Sequence, residues 1–454
     1  MFRNIIFLFI IISIIPGLAL SADDSEDLET IIVTASRTPV STDQIGSSFT
    51  IIDADQLSNR QIAPLSEVLR GVPGFSVSRS GVLGSFTQIR VRGAEANQVL
   101  VFIDGVEAND LAQGGAFDFA HLLTSEIERI EIIRGPQSAL WGSDALSGVI
   151  NVTSKRGTGP VTFSGFLEGG SFGTKRGGGN ISGSGEKYHF NLGGSIIDSD
   201  GENISRQGDE DDGYKNTSLS FSGGYEPTEN LSLSVAGRHT DSTKQFDDVD
   251  FVTGLQIDAD KETDAVQDYG RIQLKLSLFN GQWDHILGSS ITSTDNENFS
   301  AGIATSSTEG KKYKFDYQTN FFLETSDSLN ASHTFTFAID HEKEEFTQRG
   351  TASFFGDPNQ DLELDTTSLI GEYRITIADN LSLSGSIRND NNSDFDDATT
   401  YRATAAYLFS ETGTRLHSSY GTGVKNPGFT ERFGFFTSET STFVGNPNLK
   451  PEES

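Results

Sequence analysis

A chain of 454 residues with a formal charge of −31 and no cysteine excludes several functions before any motif is read. Without thiols there is no thiolate metal site, no cysteine nucleophile and no disulfide framework, and such acidity opposes nucleic-acid binding, which needs clustered Lys and Arg. The length fits either a few soluble domains or one large barrel, and the acidity suits a polyanionic loop surface or a bound cation.

In chain order, residues 1–22 read as a secretory signal. Arg3 supplies the positive end, and an apolar run from Ile5 to Ile15 is broken only by Ser13. Pro16 and Gly17 end that run, and the small residues Ala19, Ser21 and Ala22 follow. The run is shorter than the ~20 residues a spanning helix needs, so a cleaved leader is the expectation. No other segment approaches a transmembrane helix. The mature protein is therefore expected outside the cytoplasm, either soluble or as a β-barrel.

Residues 23–40 begin with Asp23, Asp24, Glu26 and Asp27, which keep the following segment solvated. In that segment, Glu29-Thr30-Ile31-Ile32-Val33-Thr34-Ala35, the β-branched run favours a stiff extended strand. Such a strand can add to the edge of a partner's sheet. It reads equally as the first strand of the domain that follows.

Residues 41–157 mix short apolar strands with helix-like stretches. Between Pro64 and Arg70, Leu65, Val68 and Leu69 share one helical face. Asp104-Gly105 predicts a hairpin turn. Arg90, Arg92, Glu131 and Arg134 sit in apolar strand patterns, and their heads are expected to face a surrounding wall.

From residue 158 the pattern becomes alternation. Ile272, Leu274, Leu276 and Leu278 oppose Arg271, Gln273, Lys275 and Ser277. Leu381, Leu383, Gly385 and Ile387 oppose Ser382, Ser384, Ser386 and Arg388 in the same way, and Leu231, Leu233 and Val235 or Leu219, Phe221 and Tyr225 repeat it. A soluble sandwich also alternates. Three features favour a membrane barrel instead: segments of about ten residues, a polar second face suited to a wet lumen, and asymmetric connections. Short turns at 226–230 and 378–380 alternate with long polar loops at 198–215 and 241–268. Roughly a dozen to fifteen strands are expected. An open edge in lipid leaves costly unpaired backbone groups. Since Asn446 to Ser454 reads as loop, the chain is expected to stop before its barrel closes.

An ordered set of motifs now becomes informative. Glu29–Ala35 is followed by Leu65–Gly74 (LSEVLRGVPG), Ile89–Gly93 (IRVRG) and Val101–Val106 (VFIDGV). Then come Ile127–Pro136 (IERIEIIRGP) and Trp141–Asn151 (WGSDALSGVIN), and near the end Tyr420–Pro427 (YGTGVKNP) and Gly445–Glu453 (GNPNLKPEE). In order and spacing these resemble the TonB-dependent outer-membrane transporters, most nearly their cobalamin-carrying branch. The resemblance implies a mainly β fold, a transmembrane antiparallel barrel of about 22 strands with an α+β plug in its lumen. Residues 29–35 become the TonB box, 41–157 the plug and 158–454 an incomplete barrel. The implied activity is import of a cobalt corrinoid across the outer membrane, driven by proton-motive force through TonB and its inner-membrane partners. A ferric siderophore or haem receptor is the alternative, since plugs are shared across substrates.

The resemblance also implies sites. By position, the ligand-facing plug loops are 80–85 and 109–115, giving Ser80, Leu83, Ser85, Asn109, Leu111 and Gln113 as candidate contacts. Between Asp198 and Asp268, 18 Asp and Glu face five Lys and Arg. A charge run is ordinarily a solvated loop, but hard cations collect carboxylate oxygens. Carried over from the family, a structural calcium falls on Glu210, Asp212, Asp247 and Asp258, with Phe246 where a tyrosine is expected, Glu210 in place of an aspartate and Asn203 in place of another. The seven histidines lack ligand spacing, and no nucleophile elbow, zinc-protease helix or phosphate-binding Gly loop is present. The sequence supports transport and not catalysis.

Overall fold

The computed structural model describes residues 31–454 apart from 33–34, 207, 209, 251, 326–329, 355 and 438–441. The leader, together with Glu29, Thr30, Val33 and Thr34 of the TonB box, lies outside the described residues.

Residues 35–157 build a small α+β unit. Its five-stranded sheet has the order Ser48–Asp53, Ile127–Arg134, Gly148–Ser154, Val99–Ile103, Val106–Glu107. The pair Val99–Ile103 and Gly148–Ser154 is parallel, and Val99–Ile103 is buried throughout, as an uninterrupted apolar run requires. Helix α1 (Ala54–Arg60) starts where the Asp53 carboxylate accepts from Gln56 N at 2.8 Å, the usual N-cap device. Helix α2 (Leu65–Leu69) buries Leu65, Val68 and Leu69 completely, the face expected from their spacing. These join Ile52, Val101, Ile130 and Ile150 in one core. The Asp104-Gly105 turn also forms: φ is 51° and 80° at the two positions, the left-handed pair that a tight hairpin demands.

Thirteen strands follow: β1 (Thr162–Gly169), β2 (Lys175–Ser184), β3 (Tyr188–Ser199), β4 (Tyr214–Thr228) and β5 (Leu231–Val249). Next come β6 (Gln256–Leu278), β7 (Trp283–Ser300), β8 (Ile303–Thr325) and β9 (Ala331–Gly350). The last four are β10 (Gln360–Ile377), β11 (Leu381–Asn392), β12 (Ala398–Phe409) and β13 (Thr414–Gly421). They pair in sequence order into one antiparallel sheet, and among the described residues β1 and β13 do not pair with each other.

This wall is apolar outside and polar inside. Leu219, Phe221, Ile272, Leu274, Leu383 and Ile387 are exposed, whereas Ser218, Ser220, Arg238, Ser382, Ser386 and Arg388 are buried. A soluble sheet does the reverse; a barrel in lipid requires this arrangement. At the short-turn end Trp283 stacks between Phe279 and Phe321, with ring centroids 6.0 and 4.8 Å away, as in the aromatic girdle at a membrane interface. No helix among the described residues is long and apolar enough to cross a membrane.

Two expectations need correction. The strands are not uniformly about ten residues: β6 and β8 reach 23 residues each. The expected loop 241–268 is mostly strand as well, because β5 runs to Val249 and β6 resumes at Gln256. Spanning needs only part of such a strand; beyond it the hairpin keeps its ladder of backbone bonds while its outward face turns to Asp241, Glu262, Asp264 and Asp268. The 378–380 turn stands as expected, while the expected 198–215 loop narrows to 200–213 and the 226–230 turn to 229–230. After β13 the chain forms a short helix (Phe429–Phe433), a small hairpin, and a two-residue pairing of Val424–Lys425 with Glu452–Glu453.

Candidate functional site

The polar inner face of the wall grips the plug. Ile31 and Ile32 pair with Ser41 and Val40, so these two residues of the segment expected to be a TonB box form a short strand against the plug. Ala35 is buried with Val40, Ile45 and Ile133. Ser36 Oγ donates to Glu372 Oε2 at 2.7 Å. Arg37 donates through Nη1 to Asp340 Oδ1 at 3.0 Å and through Nε to Leu140 O at 3.0 Å, and its Nη2 closes the bidentate pair with Asp340. Gln318 Nε2 donates to Arg37 O at 2.9 Å. The chain at Ser36 and Arg37 is thereby bound to β8, β9 and β10 at once.

From Asp340 the charges continue across the wall. Arg388 Nη1 lies 3.3 Å and Lys314 Nζ 3.7 Å from Asp340 Oδ2. Lys314 pairs with Glu107 of the plug and with Glu342 at 2.7 Å. Lys312 reaches Glu107 at 3.0 Å and Glu344 at 2.9 Å. Fully desolvated pairs return little net stability, but removing one partner is expensive. These pairs therefore fix the register of the plug against the wall more than they add to its stability.

Glu107 opens the 109–115 loop, and the wall holds that loop too. Thr294 Oγ1 donates to Asp110 Oδ1 at 2.5 Å, and Gln113 Nε2 donates to Asn296 Oδ1 at 3.2 Å. Leu111 packs against Phe346, Leu364 and Phe429. Asn109 is turned inward: its carbonyl accepts from Val101 N, and its amide donates to Val99 O and Gly115 O. Farther along the wall, on β5 and β3, Glu126 accepts from Arg238 at 3.1 Å and from Ser195 at 2.8 Å.

The charged residues expected to face the wall do not do so. Arg90 and Arg92 are exposed. Arg134 donates to Ser48 Oγ at 3.0 Å, and Glu131 pairs with Arg129 at 2.6 Å, both inside the plug. Their strand lies between two neighbours of the plug sheet, which capture its polar heads first. The residues that do reach across, Arg37, Glu107, Lys312, Lys314 and Asp340, escaped the sequence reading. A signal was present: Lys312, Lys314 and Asp316 alternate with Tyr313, Phe315 and Tyr317, and ionisable residues on the inner face of a membrane strand mark function by default.

The 80–85 loop borders a cavity of about 260 Å³. Ser80, Ser85, Val82 and Phe86 line it from the plug; Ile204, Asp212, Lys244, Phe246, Asp247 and Val249 line it from the wall and its connections. Leu83 points elsewhere, into a cluster with Leu123, Ile197 and Tyr214. Gly84 has φ +85° and lies so near the Tyr214 ring that a Cβ would come within 2.0 Å; only glycine permits that approach.

Above the cavity the acidic residues gather. Burial and the Asp247 charge push the Asp212 carboxyl up to about 6. Burial, Asp260 and Asp212 raise Glu210 as well. Asp258 Oδ1 accepts from Asn203 at 2.7 Å, and Asp247 Oδ1 from Ala259 N at 3.2 Å. Asp212 Oδ2 and Asp247 Oδ2 are buried with no hydrogen-bond partner. Among the described residues no three acidic or His side chains are already drawn together at metal-binding spacing.

Comparison with known proteins fits this architecture. The model of the TonB-dependent receptor plug domain matches residues 41–149, and that of the TonB-dependent receptor-like β-barrel matches residues 146–454. The vitamin B12 transporter BtuB of Photobacterium profundum is 27% identical over 443 residues, covering 97% of this chain and 68% of that protein. The siderophore receptor PirA of Acinetobacter baumannii superposes with a TM-score of 0.71 at 17% identity, covering 90% of this chain and 67% of that one. A mutant of the ferric enterobactin receptor PfeA of Pseudomonas aeruginosa, in complex with enterobactin, gives 0.71 at 16%, covering 89% and 68%. At such identities the structural likeness is one of fold. The barrel match alone spans more than half of the chain, and the protein belongs to the TonB-dependent receptor family.

Proposed function

We propose that this receptor imports a cobalt corrinoid of the cobalamin class across the outer membrane, with TonB docking at residues 29–35 to supply the energy. The observation that carries the substrate is the likeness to a vitamin B12 transporter along 97% of the chain. The charge of the vestibule supports it. Asp212 and Asp247 line the cavity and Glu210 and Asp258 stand beside them; these carboxylates disfavour a ferric chelate built on anionic oxygens but tolerate a ligand without net negative charge. The cavity beside Ser80 and Ser85 offers Phe86, Ile204, Phe246 and Val249 as apolar contact. Asn109, Leu111 and Gln113 hold the second plug loop in place beneath the ligand.

Calcium belongs to the same reading, with Glu210, Asp212, Asp247 and Asp258 as its holders. The orphaned buried oxygens of Asp212 and Asp247 fit a hard cation, which takes oxygen ligands. Once bound, the ion would cancel the repulsion among these carboxylates and tie the 200–213 connection to the β5–β6 hairpin.

In operation, ligand binding at the plug apex loosens the segment held by Arg37, TonB adds to the freed strand, and a pull on it strips the plug from its ion pairs. The decisive experiment is uptake of labelled cobalamin against a labelled ferric siderophore, in a strain lacking its own receptors, with and without a protonophore. Cobalamin uptake abolished by the protonophore is expected. Uptake of the siderophore alone would make this a siderophore receptor, and uptake that survives the protonophore would make it a passive pore.

A further inference from the structure

Between the cavity and the plug interior stands one ammonium group. Lys244, on the inner face of β5, lines the cavity with its Nζ 5.9 Å from the centroid of the Phe86 ring. On its other side Nζ lies 3.7 Å from Asp118 Oδ2, and the Asp118 side chain is wholly buried in the plug. The other Asp118 oxygen organises the plug: Oδ1 accepts from Thr87 N at 2.9 Å and Ala120 N at 3.0 Å. Thr87 begins the strand that leaves the 80–86 loop, and Ala120 belongs to the turn carrying His121. His121 Nε2 sits 3.4 Å from Asp118 Oδ2, while its Nδ1 meets Tyr214 OH at 2.9 Å.

Asp118 Oδ2 has no well-formed hydrogen bond. Its two neighbours stand at distances where attraction is electrostatic more than directional. The contact is therefore soft, and its strength depends on the medium around Lys244. An empty cavity leaves water beside the ammonium. A bulky ligand expels that water, lowers the local dielectric and strengthens the pull towards Asp118. Filled and empty states thus differ in the free energy of this contact, which is what coupling between sites requires.

We infer that Lys244 is a positioning residue for transport: it senses occupancy of the cavity and, through Asp118, shifts the Thr87 and Ala120 backbone at the base of the plug loop. The link is separate from the Arg37–Asp340 pair, which joins a different part of the plug to β9. It rests on the reading of this cavity as the ligand site.

The test uses the membrane-embedded receptor with a spin label at Val33→Cys, cyanocobalamin at saturation, and three variants. Asp118→Asn keeps the Oδ1 acceptor and removes the charge; it should bind cyanocobalamin as the parent does while ligand-dependent release of the label drops about tenfold. Lys244→Met, measured at full occupancy so that altered affinity does not matter, should lose release to the same degree, and Lys244→Arg should retain it. In the double variant Lys244→Met/Asp118→Asn no unpaired charge remains buried, so folding is protected. Its loss should equal that of either single variant, because the two residues form one link. Normal release in Asp118→Asn, or losses that add in the double variant, overturn the inference. If the parent binds no cyanocobalamin, the substrate assignment is what fails, and the same variants tested with a ferric siderophore decide the role of Lys244.

Discussion

Arg37 and Asp340, 303 positions apart in the chain, form a bidentate ion pair in which the Arg37 side chain is 5% exposed and that of Asp340 not at all. Arg37 lies two residues beyond Ala35, which places the pair next to residues 29–35, the proposed TonB box. The two partners are not equivalent. Without Arg37, Asp340 still has Arg388 and Lys314 within 3.3 and 3.7 Å; without Asp340, three cations lose a shared anion. Asp340→Asn should therefore weaken docking by about 3–5 kcal/mol and Arg37→Met by less. A spin label at position 33 should become mobile without ligand in the first variant and partly so in the second. Immobile labels in both would show that the pair does not hold the segment.

Glu107→Gln tests the plug's own anchorage. Lys312 and Lys314 keep Glu344 and Glu342 as wall partners, so the wall should retain its stability. The plug loses its central anion and should unfold at lower urea, by about 3 kcal/mol. Equal midpoints for plug unfolding in parent and variant would refute this anchoring role.

Residues 29–35, as the proposed TonB box, make a separate prediction. Val33→Pro removes a backbone donor from the strand offered to the partner. Energised uptake should disappear while ligand binding persists at parental affinity, as read by equilibrium binding to isolated membranes. Undiminished uptake would sink docking at this segment.

The raised carboxyl of Asp212 gives a pH signature. Its folded value, about 6, lies above the unfolded value near 3.9. Metal-free, it thus contributes stability fully present below about pH 4 and lost as pH rises through 6. Calcium reverses the preference, because a ligating carboxylate must give up its proton. Calcium affinity measured by calorimetry should therefore fall by up to about tenfold per pH unit below 6, and Asp212→Asn should flatten that slope. No calcium binding at about millimolar concentration would remove the metal from the picture.

Much of this architecture is written in local pattern. Alternation of Leu383 and Ile387 with Ser382 and Ser386 reports a strand with one lipid face and one wet face, because side chains alternate with period two. Leu65, Val68 and Leu69 report a helix, and Asp104-Gly105 a turn, since each depends on conformational preferences over a few residues. Strand length was less legible: polar residues such as Asp264 and Asp268 resemble a loop, yet pairing with Thr243 and His239 keeps them in a ladder.

By itself, then, the sequence determined the class of fold, the turn chemistry and the motifs of a TonB-dependent receptor. Only the tertiary structure decided which charges meet. Glu107 with Lys312, Glu126 with Arg238 and Lys244 with Asp118 join residues more than a hundred positions apart, and no short-range period encodes such pairs. The plug's own Arg134 and Glu131 have partners inside the plug at Ser48 and Arg129, whereas Arg37 and Glu107 reach the wall. Burial selects among charges that look alike in the sequence, because an ion out of water must find its partner wherever the fold brings one.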